Sequence, residues 1–293
     1  MKTIATVAAM TAWRDAIVGT VGLVPTMGFL HEGHLSLVRR SRRDCDHTVV
    51  SIFVNPTQFG PNEDLERYPR DEARDLKLLA REGIDAIFMP SADEIYPPDF
   101  DDYVEIHGPV VERLEGEHRP GHFRGVTTIV ARLFRIVRPD RAYFGQKDAQ
   151  QLRVIRRMTA ELGLPVQVIG LPTVREPEGL AMSSRNVYLA PEDRRAALVL
   201  SRSLRLADDL VRAGQTNAAN LKREVESLIQ AEPSLALEYV SISDEETLEE
   251  LATIDRSSIL LLAARVGVTR LIDNTVIIPA GVLVPDHLSD LLT

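Results

Sequence analysis

Short unbroken apolar runs alternate with stretches of helical spacing over the first 173 positions of the chain. The runs are Ala16–Val24, Thr48–Val54, Ile84–Pro90, Arg141–Gly145 and Val166–Gly170. Runs of this length, bounded by turn residues, predict strands buried on both faces. Leu35–Arg40 begins an amphipathic helix, with Leu37, Val38 and Ser41 on neighbouring faces. Asp71–Gly83 predicts a second helix, with Gly83 as its cap. Thr127–Val137 predicts a third, ending before Pro139, and Ala149–Leu162 a fourth, closed by Gly163. The first ten residues are interrupted by threonines and meet Trp13-Arg14-Asp15 at once, which suits a short strand and a first helix better than a signal peptide. Strands that alternate with helices predict a doubly wound, parallel sheet up to about Thr173.

Beyond that point the order changes. Pro191 opens a long helix, Glu192–Ala213, closed by Gly214, and a second helix runs near Asn217–Glu232. Leu237–Ile242, Ser258–Ala264 and Thr269–Asp273 then read as three strands. Helices followed by strands predict a smaller α+β domain. The expected architecture is therefore α/β: a Rossmann-like domain over residues 1–173 and an α+β domain over 174–293. No internal repeat or low-complexity tract interrupts either.

Composition narrows the classes. The chain has 293 residues, 44% hydrophobic and 26% charged, as in an ordinary globular protein long enough for two domains. The formal net charge of −9 and the pI near 5.4 argue against nucleic acid as the main partner. No apolar run approaches the roughly 18–20 residues that cross a bilayer, so no membrane partner is expected. Cys45 is the single cysteine, which excludes an intrachain disulfide and fits a reducing, cytoplasmic setting. Cys45 itself reads as a helix residue without chemistry.

Candidate chemistry gathers where the predicted strands end. Pro25-Thr26-Met27-Gly28-Phe29-Leu30-His31-Glu32-Gly33-His34 joins a strand to a helix. A helix N-terminus offers unpaired N–H groups and the positive end of its dipole, which suits a phosphate. Two imidazoles at that place add hydrogen-bond donors. The spacing is not that of a zinc-protease helix, and the chain has neither a G-x-x-x-x-G-K-[ST] loop nor a G-x-G-x-x-G turn. In an open parallel sheet ligands bind at the carboxyl ends of the strands. Asn55-Pro56-Thr57-Gln58-Phe59 and Phe144-Gly145-Gln146-Lys147-Asp148 follow two other strands on the same predicted edge.

Alone, Lys147 beside Asp148 reads as a surface pair; beside the histidine turn it reads as an ammonium that contacts phosphate. Ser183-Ser184-Arg185-Asn186, past the domain boundary, is either a plain turn or two hydroxyls and a guanidinium that grip phosphate oxygens. Gln58 and Gln151 are either solvated or readers of a small polar substrate. His122 is a third histidine of the site or an ordinary loop residue.

The strings PTMGFLHEGH, FVNPTQFGPNEDLERYPR, RPGHFRGVTTIV, FGQKDAQQ and MSSRN, with LIDN near the C-terminus, occur in the order and spacing of one family. On these residues the chain resembles the pantothenate synthetases (pantoate–β-alanine ligases) over essentially its whole length. The histidine turn alone marks a wider superfamily that includes nucleotidyltransferases and class I aminoacyl-tRNA synthetases; the NPTQFG and GQKDAQQ strings are more specific.

The resemblance implies condensation of (R)-pantoate with β-alanine through a pantoyl adenylate, releasing pyrophosphate and AMP. It places His31, His34, Lys147, Ser183, Ser184 and Arg185 in the chemistry. It implies that Pro25–His34, Gly145, Gln146, Lys147, Asp148, Val174, Met182 and Ser183–Arg185 line ATP. It implies that Gln58, Gln151, Asn55, Tyr68, Arg119 and His122 bind pantoate or β-alanine. Mg²⁺ would come with ATP, with no protein metal site of its own. The smaller domain would close over the larger, and the chain would form a homodimer. The alternatives are a nucleotidyltransferase acting on a phosphorylated metabolite, a non-catalytic nucleotide binder, and a tRNA-aminoacylating enzyme, which the acidic pI disfavours.

Overall fold

The structure, a computed structural model of the chain, describes residues 1–283; residues 284–293, the end of the expected second domain, lie outside the described residues. The chain divides into two compact units. One comprises Met1–Gly145 and Gln150–Leu171; the other comprises Gln146–Ala149 and the chain from Pro172 onward. The expected 1–173 domain included the four residues Gln146–Ala149. They group with the second unit, where the Asn274 amide holds the Gln146 and Lys147 carbonyls.

The first unit is built on six strands: β1 (Lys2–Ile4), β2 (Val21–Thr26), β3 (His47–Ile52), β4 (Ala86–Phe88), β5 (Arg141–Gly145) and β6 (Gln167–Leu171). All pair in parallel, in the order β1-β4-β3-β2-β5-β6. The order reverses between β2 and β5, so the sheet is doubly wound with its switch point there. Val21, Gly22, Leu23 and Val24 are all buried, as a strand covered on both faces requires.

The helices of this unit are α1 (Val7–Ala16), α2 (Glu32–Asp44), α3 (Glu72–Glu82), three single turns α4 (Ala92–Ile95), α5 (Pro109–Glu112) and α6 (Glu115–His118), then α7 (His122–Val137) and α8 (Ala149–Glu161). Leu37 and Val38 of α2 and Leu79 of α3 share a core with Val24, Val50 and Ile87 of the sheet.

The sequence reading missed several boundaries, each for a physical reason. The strand expected at Ala16 starts at Val21, because Gly19 turns the chain at φ +108°. The Thr20 amide and hydroxyl both donate to Asp46, at 2.8 Å, and Val18 is left in solvent. Helix α7 starts at His122, before the expected Thr127. Gly125 lies inside its first turn, where a Cβ would lie 2.4 Å from the Thr57 carbonyl and 2.6 Å from the Gln58 nitrogen. Cys45 is the residue that ends α2, with its Sγ 3.5 Å from the Tyr143 hydroxyl. The three single-turn helices between Ala92 and His118 are too short for any period to show in sequence.

The second unit packs α9 (Pro191–Arg212) and α10 (Ala218–Gln230) on an antiparallel sheet of β7 (Leu235–Asp244), β8 (Ser258–Val266) and β9 (Thr269–Ile277), in the order β7-β8-β9. Its core joins Leu200, Leu204 and Val211 with Leu221, Val225 and Ile229 and with Leu260 and Leu262 of the sheet. Pro191 stands at the first position of α9 and Asn217 caps α10 through the Asn220 amide, at 2.9 Å.

Candidate active site

The histidine turn starts where β2 runs out. Gly28 takes φ +80° and Phe29 φ +49°, so the chain passes through two left-handed residues before α2. The left-handed region costs a non-glycine residue about 1–2 kcal/mol and has to be held by something else. A buried carboxylate on α3 holds it. Asp75, only 1% exposed, accepts the Phe29 N–H at Oδ2 (2.7 Å) and the Leu30 N–H at Oδ1 (2.8 Å). Burial pushes the Asp75 carboxyl above the ordinary aspartate range, and the Leu30 and Phe29 amides and Arg74 oppose that shift. Sequence reasoning missed Asp75. The signal was a carboxylate on the apolar stripe of α3, one turn before the fully buried Leu79.

Held in this way, His31 becomes the cap of α2 and His34 the third residue of the helix. Their rings stack at 4.0 Å between centroids, 30° apart in plane. The His31 N–H donates to His34 Nδ1 at 3.3 Å. That bond occupies Nδ1 as an acceptor, so neutral His34 carries its ring proton on Nε2. Both rings are half-buried.

The loop after β3 supplies the second part. Asn55, 1% exposed, accepts from the Tyr96 hydroxyl (2.7 Å) and the Thr57 hydroxyl (2.9 Å). Its amide donates to the Gly125 carbonyl and to Gln58 Oε1, each at 3.1 Å. The Gln58 amide in turn lies 3.2 Å from Met27 Sδ, which ties this loop to the histidine turn. β3, β2 and β5 are consecutive in the sheet, so their carboxyl ends form one continuous edge within the first unit. β5 ends on Gly145, where a Cβ would meet nothing within 4 Å.

Arg119 and His122 stand behind Gln58. Arg119 forms a two-pronged pair with Glu63, 2.7 Å at each prong, and donates to His122 Nε2 at 3.1 Å. His122 Nδ1 then donates to the Gln58 carbonyl, at 2.9 Å. Burial, with Arg119 close by, drives the His122 pKa down to about 4, so the ring is neutral. Both its nitrogens face protein groups. Asn55, Arg119 and His122, all expected to touch substrate, thus have polar atoms committed to Gln58 and its loop. Tyr68 is buried edge-on against Phe59, at 5.9 Å. Gln151 is half-buried in the first turn of α8. Its neighbour Gln150, absent from the expected set, is 2% exposed; it donates to the Val110 and Arg113 carbonyls (2.9 Å each) and accepts from the Glu115 amide (3.0 Å).

In the second unit Gln146–Asp148 form a 3₁₀ turn, with the half-buried Lys147 Nζ 3.6 Å from Asp148. Val174 and Met182 face each other across a small hairpin: the Met182 N–H donates to the Val174 carbonyl at 2.9 Å, and Gly179 turns the chain at φ +103°. Ser183 caps the 3₁₀ helix Ser184–Tyr188 by accepting the Arg185 N–H at 3.3 Å. Asn186 braces the hairpin, donating to Glu176 (2.8 Å) and to the Ala181 carbonyl (3.0 Å), and Glu176 also pairs with Arg194. Among the described residues no group of three His, Cys, Asp or Glu side chains could hold a metal ion, and no helix is long and apolar enough to cross a membrane.

A doubly wound sheet with two imidazoles at the start of the helix after β2 is the framework of an α/β enzyme. The chain belongs to the pantoate–β-alanine ligase family, whose model matches residues 1–276. A pantothenate synthetase of Roseiflexus sp. (strain RS-1) is 56% identical over 277 residues, covering 94% of this chain and 99% of the relative. The crystal structure of pantothenate synthetase from Thermus thermophilus superposes with a TM-score of 0.92 at 48% identity, covering 95% of this chain and 100% of that one. The Francisella tularensis pantoate–β-alanine ligase, solved in complex with β,γ-ATP and β-alanine, superposes with a TM-score of 0.79 at 33% identity, covering 94% and 97%.

Two outcomes are expected from this geometry. Asp75→Ala lowers stability by roughly 1–3 kcal/mol for each buried N–H whose acceptor is removed. Urea denaturation measures the loss, and an unshifted midpoint would mean that the turn holds itself. His122 binds its proton less readily folded than unfolded, so its contribution to stability is complete above pH 6.5 and is lost as pH falls towards about 4. At 1.36 kcal/mol per pH unit this is roughly 3 kcal/mol. Comparing stability against pH for the native chain and His122→Gln isolates it; parallel curves would contradict the assignment.

Proposed function

We propose that this chain joins (R)-pantoate to β-alanine using MgATP, through a pantoyl adenylate. Family membership supports the overall reaction, and one bond carries the reading of the site: the His31 N–H on His34 Nδ1, which makes Nε2 the donor of the His34 ring. In the first step the pantoate carboxylate attacks the α-phosphorus and pyrophosphate leaves. Negative charge gathers on the phosphate oxygens in that transition state, and fixed donors stabilise it. His34 supplies one from Nε2, with His31 beside it and the N-terminus of α2 beneath. Two cationic imidazoles stacked at 4.0 Å would repel each other, and a phosphate anion beside them would offset that repulsion. Lys147 acts on the phosphates as a point charge, and Ser183, Ser184 and Arg185 add donors from the second unit. Mg²⁺ arrives with the triphosphate and keeps phosphate and water oxygens as ligands.

In the second step the β-alanine amine attacks the carbonyl carbon of the adenylate. The C–N bond forms, the bond to the AMP oxygen breaks, and the amine gives up a proton. Gln58 and Gln151 read pantoate, with Gln58 also near β-alanine, while Asn55, Arg119 and His122 keep Gln58 in place and Tyr68 packs its loop. A nucleotidyltransferase acting on a phosphorylated metabolite need not carry Gln58 in its NPTQFG context. In this reading the smaller domain, 174–293, closes on the nucleotide and keeps water from the acyl adenylate. The enzyme works in the cytoplasm as a homodimer.

Exchange of labelled pyrophosphate into ATP, with pantoate present and β-alanine absent, tests the first step. The native chain exchanges only with pantoate, and His34→Ala loses about 10²–10³ in rate. Release of orthophosphate alone would exclude the reading. Small-angle scattering tests closure and assembly together: it should report twice the 32.6 kDa chain mass and a smaller radius of gyration once MgATP and pantoate are added. A monomer mass or an unchanged radius would remove the corresponding part.

A further inference from the structure

Leu271-Ile272-Asp273-Asn274 lies on β9, and no step of the reaction above uses it. Asp273 and Asn274 are each 4% exposed, paired across the sheet with Leu262 and Leu261. Two polar side chains buried in an apolar sheet are costly unless they find partners. Asp273 takes a bidentate pair from Arg175 (2.6 and 2.9 Å) and also accepts the Asn274 N–H at 2.8 Å. Arg175 lies one pair inside the hairpin that sets Val174 against Met182, and its guanidinium also donates to the Gly179 carbonyl at 3.2 Å.

Asn274 does the corresponding work on another segment. Its Nδ2 donates to both the Gln146 and the Lys147 carbonyls, at 2.9 Å each, and its Oδ1 receives the Gln146 amide at 3.4 Å. These carbonyls belong to the 3₁₀ turn ahead of α8, outside the regular helix ladder. Gln146 is itself 5% exposed. A lysine is a flexible point charge on four methylenes, so its aim depends on how firmly its main chain is held.

We infer that Asn274 is a positioning residue for Lys147. By fixing the Gln146 and Lys147 carbonyls it sets where the ammonium meets the triphosphate, and Asp273 fixes the strand position from which it does so. This inference rests on the assignment of Lys147 to the phosphates.

The test is a double-mutant cycle read by calorimetry with α,β-methylene ATP, whose methylene replaces the oxygen that the reaction would cleave, and Mg²⁺. Asn274→Ala should weaken binding about tenfold or more, the cost of misplacing a positioned group. Lys147→Ala should weaken it as well, and adding Asn274→Ala to Lys147→Ala should cost little further, because the amide acts through the ammonium. A merely structural role predicts that the two losses multiply. Multiplying losses, or native affinity in Asn274→Ala, would overturn the inference. Asn274→Asp keeps the volume and removes both donors, so it carries the same comparison if the alanine variant does not fold. Pyrophosphate exchange by the native chain separates the two levels. Its absence removes the ligase reading and this inference with it, and its presence beside multiplying losses removes this inference alone.

Discussion

A backbone amide or carbonyl that leaves a sheet ladder without reaching water has to find another partner. Around the loops of interest here, buried polar side chains meet that demand. Asp75 accepts the Phe29 and Leu30 amides, and Asn55 donates to the Gly125 carbonyl beside the Gln58 loop. Gln150 binds three backbone groups between Val110 and Glu115. In the second unit Asn274 donates to two carbonyls of the Lys147 turn and Asn186 to one in the hairpin before Ser183. Each of the five is at most 6% exposed. A hydrogen bond there is worth more than at the surface, and leaving the loop group unmet costs more than the bond itself returns.

This division of labour explains which groups are left for chemistry. The short polar residues are used up on the backbone. The half-buried His31, His34, Gln58 and Lys147 are the ones that the proposed mechanism sets against a ligand. His122 belongs to the first kind despite its chemistry. Its neutral ring has Arg119 on Nε2 and the Gln58 carbonyl on Nδ1. His34 belongs to the second kind, since the backbone bond falls on its Nδ1 and leaves the ring proton on Nε2.

Charge follows the same rule. Exposed pairs such as Arg135–Asp102 and Arg256–Asp255 sit in water and are worth little. The Arg175–Asp273 pair is different, because its carboxylate is almost fully buried and its two contacts are parallel. Removing Arg175 would leave the buried Asp273 carboxylate without its counter-charge, so breaking this pair costs more than breaking an exposed one.

The sequence by itself determined the order of elements, the class of fold and the strings that identify the family. Apolar runs and helical spacing are local properties, and so are Gly83 and Gly163 as caps and Pro191 as a helix start. The histidine turn was legible for the same reason, since a helix start and two imidazoles three apart are neighbours in the chain. Tertiary structure decided what each polar residue does. That Gly125 lies inside a helix, that Asp75 holds the turn 45 residues before it, and that Asn274 reaches Lys147 across 127 positions are facts of close approach. No local pattern encodes such contacts, because hydrogen bonding depends on distance in space and not on separation along the chain.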